Sequence, residues 1–593
     1  MFVRTKTTPN SPRKSIQIVE NRRDEKTGKV KQKILRYVGI ALDDKEEAQL
    51  KQLATEFMAN MLIAQEATSP QTTMLTALDE ESLKSSIRNT PGRKAKKRIE
   101  DVLPVNQVTL DMIEEETRVI DGVHEAAGHL YDELGYDKIL RNNKYNNILK
   151  DLVLCRISNP TSKLATSNIL NRYYMKEHDL DAIYRTMDHV FDKIEDIKLT
   201  TFNSTNKLIP GEIEIILFDV TTLHFESTEV DELRKFGYSK NFRFNTTQVV
   251  LALATTPDGL PIGYELFEGN KAEVKTLIDT IDDWKKKFKI GKVCFIGDRA
   301  MFSEANLEAM EARNYNYIVA AKLRSLPAVM HDKIWDENNY STNLIEGDFT
   351  WIGEFTYDEK DIACLKKPQE IKRYTELLGQ NKNRKFVVSY SDKRARHDCK
   401  QREILLEKIT KQLDKTSNSA KLISNAALKK YTSSEGKSSN HIDDEKITAD
   451  AVWDGFHGVI TNIKDGPGND NFDAAYILSQ YRRLVKIEDC FRVNKTTLKM
   501  RPIYHFKPER IRAHIAICYM AFAIVRQLEY RVKLLKKLSI ANIIEELNSV
   551  QSSIYIHKVT RDRYRVPGSF SNDARKIYAA IGVVRQLDAH PLL

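Results

Sequence analysis

The first forty residues alternate short apolar runs with charged ones: SIQIVEN, then the turn-like RRDEKTGK, then VKQKILRYV. Two β-rich runs around a glycine-containing connection predict a basic hairpin over 15–38. Asp43 or Asp44 then caps a helix through KEEAQLKQLATEFMANML, completing a first segment at 1–65. Periodicity fades over 66–119, where TSPQTT and NTPGRKAKKR mark a polar linker with a basic block. From 120 to 205, Leu, Ile and Val recur at three- and four-residue intervals, which predicts a small helical domain.

At 212 the pattern changes. EIEIILFDVTTLHF is apolar and β-branched up to Asp219, as in a central strand covered on both faces. TTQVVLALATTPDGLPIGYELFEGN reads as two strands joined by a PDG turn. KAEVKTLIDTIDDWKKKF follows as an amphipathic helix, and KVCFIGD as a short buried strand ending in Asp298. SEANLEAMEARN is a helix capped by Ser303, with Glu304 at the positive end of its dipole, and YNYIVAAK closes as a fifth strand. The order β–β–β–α–β–α–β over 206–321 is that of RNase H-like folds. Residues 322–475 interrupt it with the β-leaning pieces DFTWIGEFTY, RKFVVSYSD and GFHGVITNI. They also hold a charged helix, CKQREILLEKITKQL, and a polar loop at 414–445. Helical spacing returns over 476–593. The expectation is an α/β protein: an RNase H-like core interrupted by a β-rich insertion, behind a helical and basic N-terminal region.

Composition adds direction to this outline. The 593 residues carry a net charge of +10, with 30% charged and 41% hydrophobic, enough for a large core and several domains. The cations are unevenly placed: residues 1–40 hold eleven Lys and Arg against three acids, and GRKAKKR at 92–98 adds a second block. Such blocks suit a polyanionic partner, and equally a solvated face or tail. The six cysteines are scattered without a CxxC pair, which argues against a zinc site or a disulfide framework and fits a reducing compartment. MFVRTKTTPN has no apolar leader pattern. IAICYMAFAIV, flanked by Arg512 and Arg526, is too short to span a bilayer and reads as a buried helix. The expectation is a soluble intracellular protein with no membrane partner.

Three acids carry the candidate chemistry. Asp219 and Asp298 each end an apolar run, where a lone acid is ordinarily a solvated loop residue. Strands of one sheet can bring two such ends side by side, and ligands gather there. Paired carboxylates repel unless a cation neutralises them, and an all-oxygen donor set suits magnesium or manganese. A third acid would complete a two-metal site. Glu488 is the candidate, in YRRLVKIEDCFRVNK. Tyr481, Glu488 and Lys495 are spaced by seven, nearly one face of a continuous helix, and Arg492 joins them. That face would join a metal ligand to cations for phosphate. An ordinary amphipathic helix with a Glu488–Arg492 pair accounts for the same spacing.

The chain resembles the DDE-type transposases of bacterial insertion sequences, in the branch with a Tyr-Arg-Glu-Lys signature and a β-rich insertion before the glutamate. The resemblance rests on FDVTTLHFE, GYSKNFRFNTTQVVLAL, GLPIGYELFEGN, IGDRAMFSEANL, WDGFHGVITN, and YRRLVKIEDCFRVNK followed by RPIYHFKPERIRAHI, in family order across about 210–530. The N-terminal IQIVENRRDEKTGKVKQKILRYVG is similar too. The resemblance implies a catalytic triad of Asp219, Asp298 and Glu488 binding two Mg²⁺ ions, which Mn²⁺ can replace. It implies hydrolytic nicking at the terminal inverted repeats, then attack of the freed 3′-hydroxyl on target DNA. It further implies double-stranded DNA as partner, a homodimer on paired ends, and a cytoplasmic, nucleoid-associated bacterial protein. Tyr481 and Lys495 match the signature's phosphate-contacting positions. The signature's arginine is here Leu484, with Arg492, Arg482 or Arg483 as replacements and Arg492 favoured by geometry. Lys240, after Ser239, and Arg299 are further phosphate candidates near the strand ends. Trp351 is a conceivable stacking partner for a displaced base, though a core position suits it better, and His224 reads as structural. A metal-dependent nuclease without strand transfer, or a non-catalytic DNA-binding descendant, are the rival readings.

Overall fold

The computed structural model describes residues 2–7, 14–23, 30–41, 47–48, 50–51, 54–55, 110–209, 213–237, 246–270, 277–288, 294–298, 302–345, 348–415, 430–435, 439–464 and 473–592. By its internal contacts the chain forms two units: Met1–Thr200 together with Val493–Leu593, and Thr201–Arg492. The sequence grouped 476–593 as one segment, but the contacts divide after Arg492.

The first unit begins with an antiparallel sheet, β1 (Phe2–Thr7), β2 (Lys14–Arg23) and β3 (Val30–Ala41). The hairpin expected over 15–38 is β2–β3. β1, which the sequence did not announce, adds to its edge from Phe2↔Val19 to Thr7↔Lys14. Ile16 and Ile18 alternate to one face of β2 and pack with Val38, Ala41, Leu50 and Ala54. The final residues of the expected linker are also ordered otherwise, as strand β4 (Ile113–Ile120).

The second unit is mixed α/β. Its nine-stranded sheet contains β5 (Ile215–His224), β6 (Gln248–Thr255), β7 (Pro261–Glu268), β8 (Cys294–Gly297), β9 (Asn316–Ala320), β10 (Ser341–Ile345), β11 (Asp348–Phe355), β12 (Lys385–Tyr390) and β15 (Phe456–Thr461). The spatial order is β10-β11-β12-β15-β9-β8-β5-β6-β7. β5, β8 and β9 run parallel, and every other pairing is antiparallel. Phe218, Trp284, Phe295, Phe302, Tyr317 and Phe386 fill the core around the sheet. All eight residues of β6 are buried, as its unbroken apolar run requires. Four of the insertion strands, β10, β11, β12 and β15, extend the core sheet: β15 pairs with β9, and the Thr461 hydroxyl donates to the Tyr317 carbonyl at 2.6 Å. The region expected as a loop at 414–445 contains a hairpin, β13 (Thr432–Glu435) with β14 (Ser439–Ile442), and the start of helix Asp444–Ala451. Local pairing of two short polar strands leaves no apolar alternation to read.

The chain then returns to the first unit. β16 (Gln551–His557), β17 (Arg563–Pro567) and β18 (His590–Leu592) join β4 in a four-stranded antiparallel sheet, β18-β17-β16-β4. Helix Pro508–Lys533 contains the apolar run noted above and is long and apolar enough to cross a membrane by composition. It is 94% buried over that window, packed against helices Asn143–Ser158 and Leu180–Phe191. It is a core helix. Two buried aspartates lock this unit. Asp121 accepts from Arg585 Nη2 at 2.8 Å and also from Arg565 and Ser552. Asp151 is bonded to His178 at 2.7 Å and His124 at 3.3 Å, with Lys176 at 3.5 Å. Burial alone would push the Asp151 carboxyl up. The hydrogen bonds to both histidines outweigh it and hold the group well below the usual carboxylate range.

Candidate active site

The site is built at the centre of the nine-stranded sheet. β5 and β8 pair in parallel through Ile215↔Cys294, Ile216↔Phe295 and Leu217↔Ile296. Asp219 and Asp298 each lie two residues past the last of these pairs, Asp219 within β5 and Asp298 just beyond the end of β8. One expectation needs correction: Asp219 does not end its strand. β5 continues to His224, paired with β6 as far as Gln248. What stops is the neighbour, because β8 ends at Gly297 and Asp298 follows it. The opening therefore lies beside the middle of β5, where one flank loses its partner. Asp219 is half-buried, with Oδ1 accepting from the Val220 amide at 2.7 Å, and Asp298 is exposed.

Glu488 arrives on the short helix Val485–Arg492, which packs on β5. The β6–β7 turn fixes that helix. Gly259 has φ +84°, and a Cβ there would lie 2.7 Å from Lys486 Cε and 3.3 Å from Cys490 Sγ. Glycine is required twice at this point, for the left-handed backbone and for the close approach. Ile487, Cys490 and Phe491 are buried while Glu488 is exposed, so the amphipathic pattern seats the helix and leaves the acid in solvent.

The seven-residue spacing does not lie on one continuous helix. Tyr481 belongs to helix Ala474–Arg482, and Lys495 to a π-helical turn, Val493–Thr497. Between the two α-helices the Leu484 amide bonds the Tyr481 carbonyl and the Ile487 amide bonds that of Leu484, both closing three-residue turns. Such turns advance the chain faster around the axis than an α-helix does, and a π-turn advances it more slowly, so the phase of the spacing is lost. Lys495 lies past the boundary between the units.

Tyr481 is nonetheless tied to the acids. Helix Ala474–Arg482 touches β8, β9, β11 and β12, and the Tyr481 ring lies on His457 with centroids 5.2 Å apart. Burial pushes the Tyr481 hydroxyl up to about 12; the negative charges of Asp298 and Glu488 add to this and Arg394 opposes it. Burial likewise pulls His457 down to about 4, helped by Arg394 and Arg482. His457 and Arg394 were not singled out from the sequence. WDGFHGVITN contained the histidine, but nothing local marks its position against Tyr481.

The other predicted residues fall differently. Arg492 is bonded to Asp489, which also has Lys486 at 3.6 Å, so neither a Glu488–Arg492 pair nor a free Arg492 is present. Asp489 is the anchor for both cations. Arg482 Nη2 donates to Thr350 Oγ1 at 3.4 Å. Trp351 is not a core residue: it is exposed on β11, against Tyr390 at 5.5 Å. His224 is buried. Lys240 and Arg299 lie outside the described residues. Among the described residues no three His, Cys, Asp or Glu are gathered closely enough to hold a metal ion.

Residues 210–524, more than half of the chain, match the family model described as the transposase DDE domain. The chain belongs to the DDE transposases. Residues 2–60 of this transposase match a second model, the IS1634 family transposase N-terminal domain, which spans the β1–β3 sheet. The DDE match contains Asp219, Asp298, Tyr481, Glu488 and Lys495. No curated protein matches the chain. Among solved structures it is similar to a piggyBac transposase synaptic complex with hairpin DNA, at 9% identity and a TM-score of 0.35, covering 72% of this chain and 77% of that one. A likeness that distant carries no argument about the site.

Proposed function

We propose that this transposase binds the terminal inverted repeats of an insertion sequence, cleaves the DNA ends by metal-dependent hydrolysis, and joins the 3′-hydroxyl ends to target DNA. The observation that supports this reading is the parallel register of β5 on β8, whose last pair, Leu217 with Ile296, lies two residues before Asp219 and Asp298, with the Glu488 helix packed on β5. The strand order β7-β6-β5-β8-β9 supports an RNase H-like core at this point, with the remaining strands as its insertion.

Asp219, Asp298 and Glu488 would hold the divalent cations. Their donor set is carboxylate oxygen alone, which fits magnesium, or manganese in its place. Bound there, the ions would supply Lewis-acid stabilisation of phosphoryl oxygens and of the attacking oxygen. The chain's own part is to align and to exclude. Tyr481, kept neutral by its surroundings, can donate its hydroxyl proton to a phosphate oxygen. Hydrolysis breaks the P–O3′ bond and leaves a 3′-hydroxyl and a 5′-phosphate. In the joining step that hydroxyl attacks a target phosphodiester and a target 3′-oxygen leaves. The basic β1–β3 sheet would hold the repeat. The protein would act as a homodimer on paired ends.

Incubating the protein with element ends, a target plasmid and Mg²⁺ tests the reading. Joined products are expected; cleavage without joining would make it a nuclease instead. Glu488→Gln should abolish both steps, and unchanged cleavage by that variant would remove the catalytic assignment.

A further inference from the structure

A cavity of about 650 Å³ opens in the second unit beside the Tyr481–His457 pair. One wall is helix Asp392–Lys415, which presents Arg394, Asp398, Gln401, Arg402 and Leu405 to it. These recur at four, seven, eight and eleven residues from the first, a single helical stripe. The opposite wall includes His457 from β15.

Most of the lining cations already have partners. Arg402 is bonded to Asp454, and Arg324 and Lys430 to Asp450. Arg394 differs. Its Nε is ion-paired with Asp398 Oδ2 at 3.6 Å, but its guanidinium makes no hydrogen bond among the described residues, which leaves both Nη groups open, and its side chain is 49% exposed. Of the three arginines near Tyr481 in the sequence, Arg482 is engaged with Thr350 and Arg492 with Asp489, while Arg483 is exposed and lines no wall of this cavity. Arg394 therefore presents an unspent fork of donors within the field of Tyr481 and His457. A planar guanidinium with open donors matches two phosphate oxygens better than any other side chain.

We propose that Arg394, from the helix that follows β12, holds a phosphodiester of the bound DNA end beside Tyr481, Asp298 and Glu488. It would do so from a different element than Leu484, where the resemblance would place an arginine. The proposal rests on the transposase reading.

The test uses the full chain with labelled element ends and Mg²⁺. Arg394→Ala should slow single-turnover end cleavage about 10–100-fold, roughly the effect of losing one charge-assisted fork. It should also make the fall of log affinity with log salt shallower by about one phosphate contact. Arg394→Lys should restore the salt slope but not the rate, because a point charge replaces a fork. Arg324→Ala, in the same cavity but tied to Asp450, should leave the slope unchanged. Thermal melting of Arg394→Ala and Arg394→Gln guards against loss of fold, and the half-exposed position predicts that both melt near the parent. If both variants fold, cleave within about twofold of the parent and keep its salt slope, the proposal is wrong. Running Glu488→Gln alongside separates the two failures: an inactive Glu488→Gln with an active Arg394→Ala sinks only Arg394, whereas an active Glu488→Gln removes the transposase reading beneath it.

Discussion

Acids in the two units are treated in opposite ways. In the first unit Asp121 and Asp151 are buried, and each is surrounded by cations and donors from the chain itself: Arg585, Arg565 and Ser552 for one, His124, His178 and Lys176 for the other. In the second unit Asp298 and Glu488 are exposed, with no ion pair among the described residues, although Asp298 follows the strand that pairs with β5 just before Asp219. Exposure of one acid is unremarked in any protein. Two acids near the ends of paired strands, with a third brought to β5 by a helix pinned at Gly259, are a different matter, because like charges gathered there repel. The first arrangement holds a fold together. The second leaves Asp298 and Glu488 in solvent without an ion pair among the described residues.

Substitutions can break this contrast, and the largest effect should come from the second unit. Asp298→Asn should reduce end cleavage about a thousandfold or more while leaving the thermal midpoint nearly unchanged, the signature of a group that works without stabilising. A matching loss of stability would place Asp298 with Asp121 instead. Next comes Asp121→Ala, which strands Arg585 in a site where its side chain is 1% exposed. It should cost about 3–5 kcal/mol in urea unfolding, read from signals of the first unit. Smaller is the pH response of His457. Its folded value of about 4 lies below the ordinary 6.5, so between those values the unfolded chain binds more protons. Stability is then full above about pH 6.5 and lost as pH falls toward 4, by at most about 3 kcal/mol, and His457→Gln should flatten that part of the curve. Smallest is Asp489→Asn. Arg492 is 68% exposed, so the pair contributes less than about 1 kcal/mol, and cleavage should stay within about threefold of the parent. If Asp489→Asn instead loses as much cleavage as Asp298→Asn, then Asp489 and not Glu488 is the working acid of that helix.

The sequence carried the frame of the second unit further than its contacts. Unbroken apolar runs mark β5 and β6, the PDG turn marks their hairpin partner β7, and Ser303 caps its helix as read, accepting from the Asn306 amide at 3.3 Å. These are short-range effects, decided by a few neighbouring residues. Three kinds of information were not local. The break between Arg482 and Val485 depends on which carbonyl each amide meets, and no residue type announces a three-residue turn there. Trp351 looks like core in DFTWIGEFTY, because its alternation cannot tell which end of a face remains uncovered. Arg394 and Tyr481 are 87 positions apart (481 − 394) in the sequence, and only the folded insertion brings the charge of one onto the other. Charge pairing misled in a simpler way: Glu488 and Asp489 compete for Arg492, and the three-residue spacing took it from the four-residue one.

The continuity of the sheet through β9 and β15 has an evolutionary consequence. Asn462 Nδ2 donates to the Tyr315 carbonyl at 2.8 Å, and its oxygen accepts from the Tyr317 amide at 3.1 Å, so the seam is sewn by side chains as well as by the ladder. A segment attached this way cannot be trimmed like a loop. Excising 341–461 would strip β9 of its neighbour and present a row of open amides and carbonyls to any other chain. Shortened descendants of this protein should therefore lose residues in the connections between insertion strands, and keep the strands themselves.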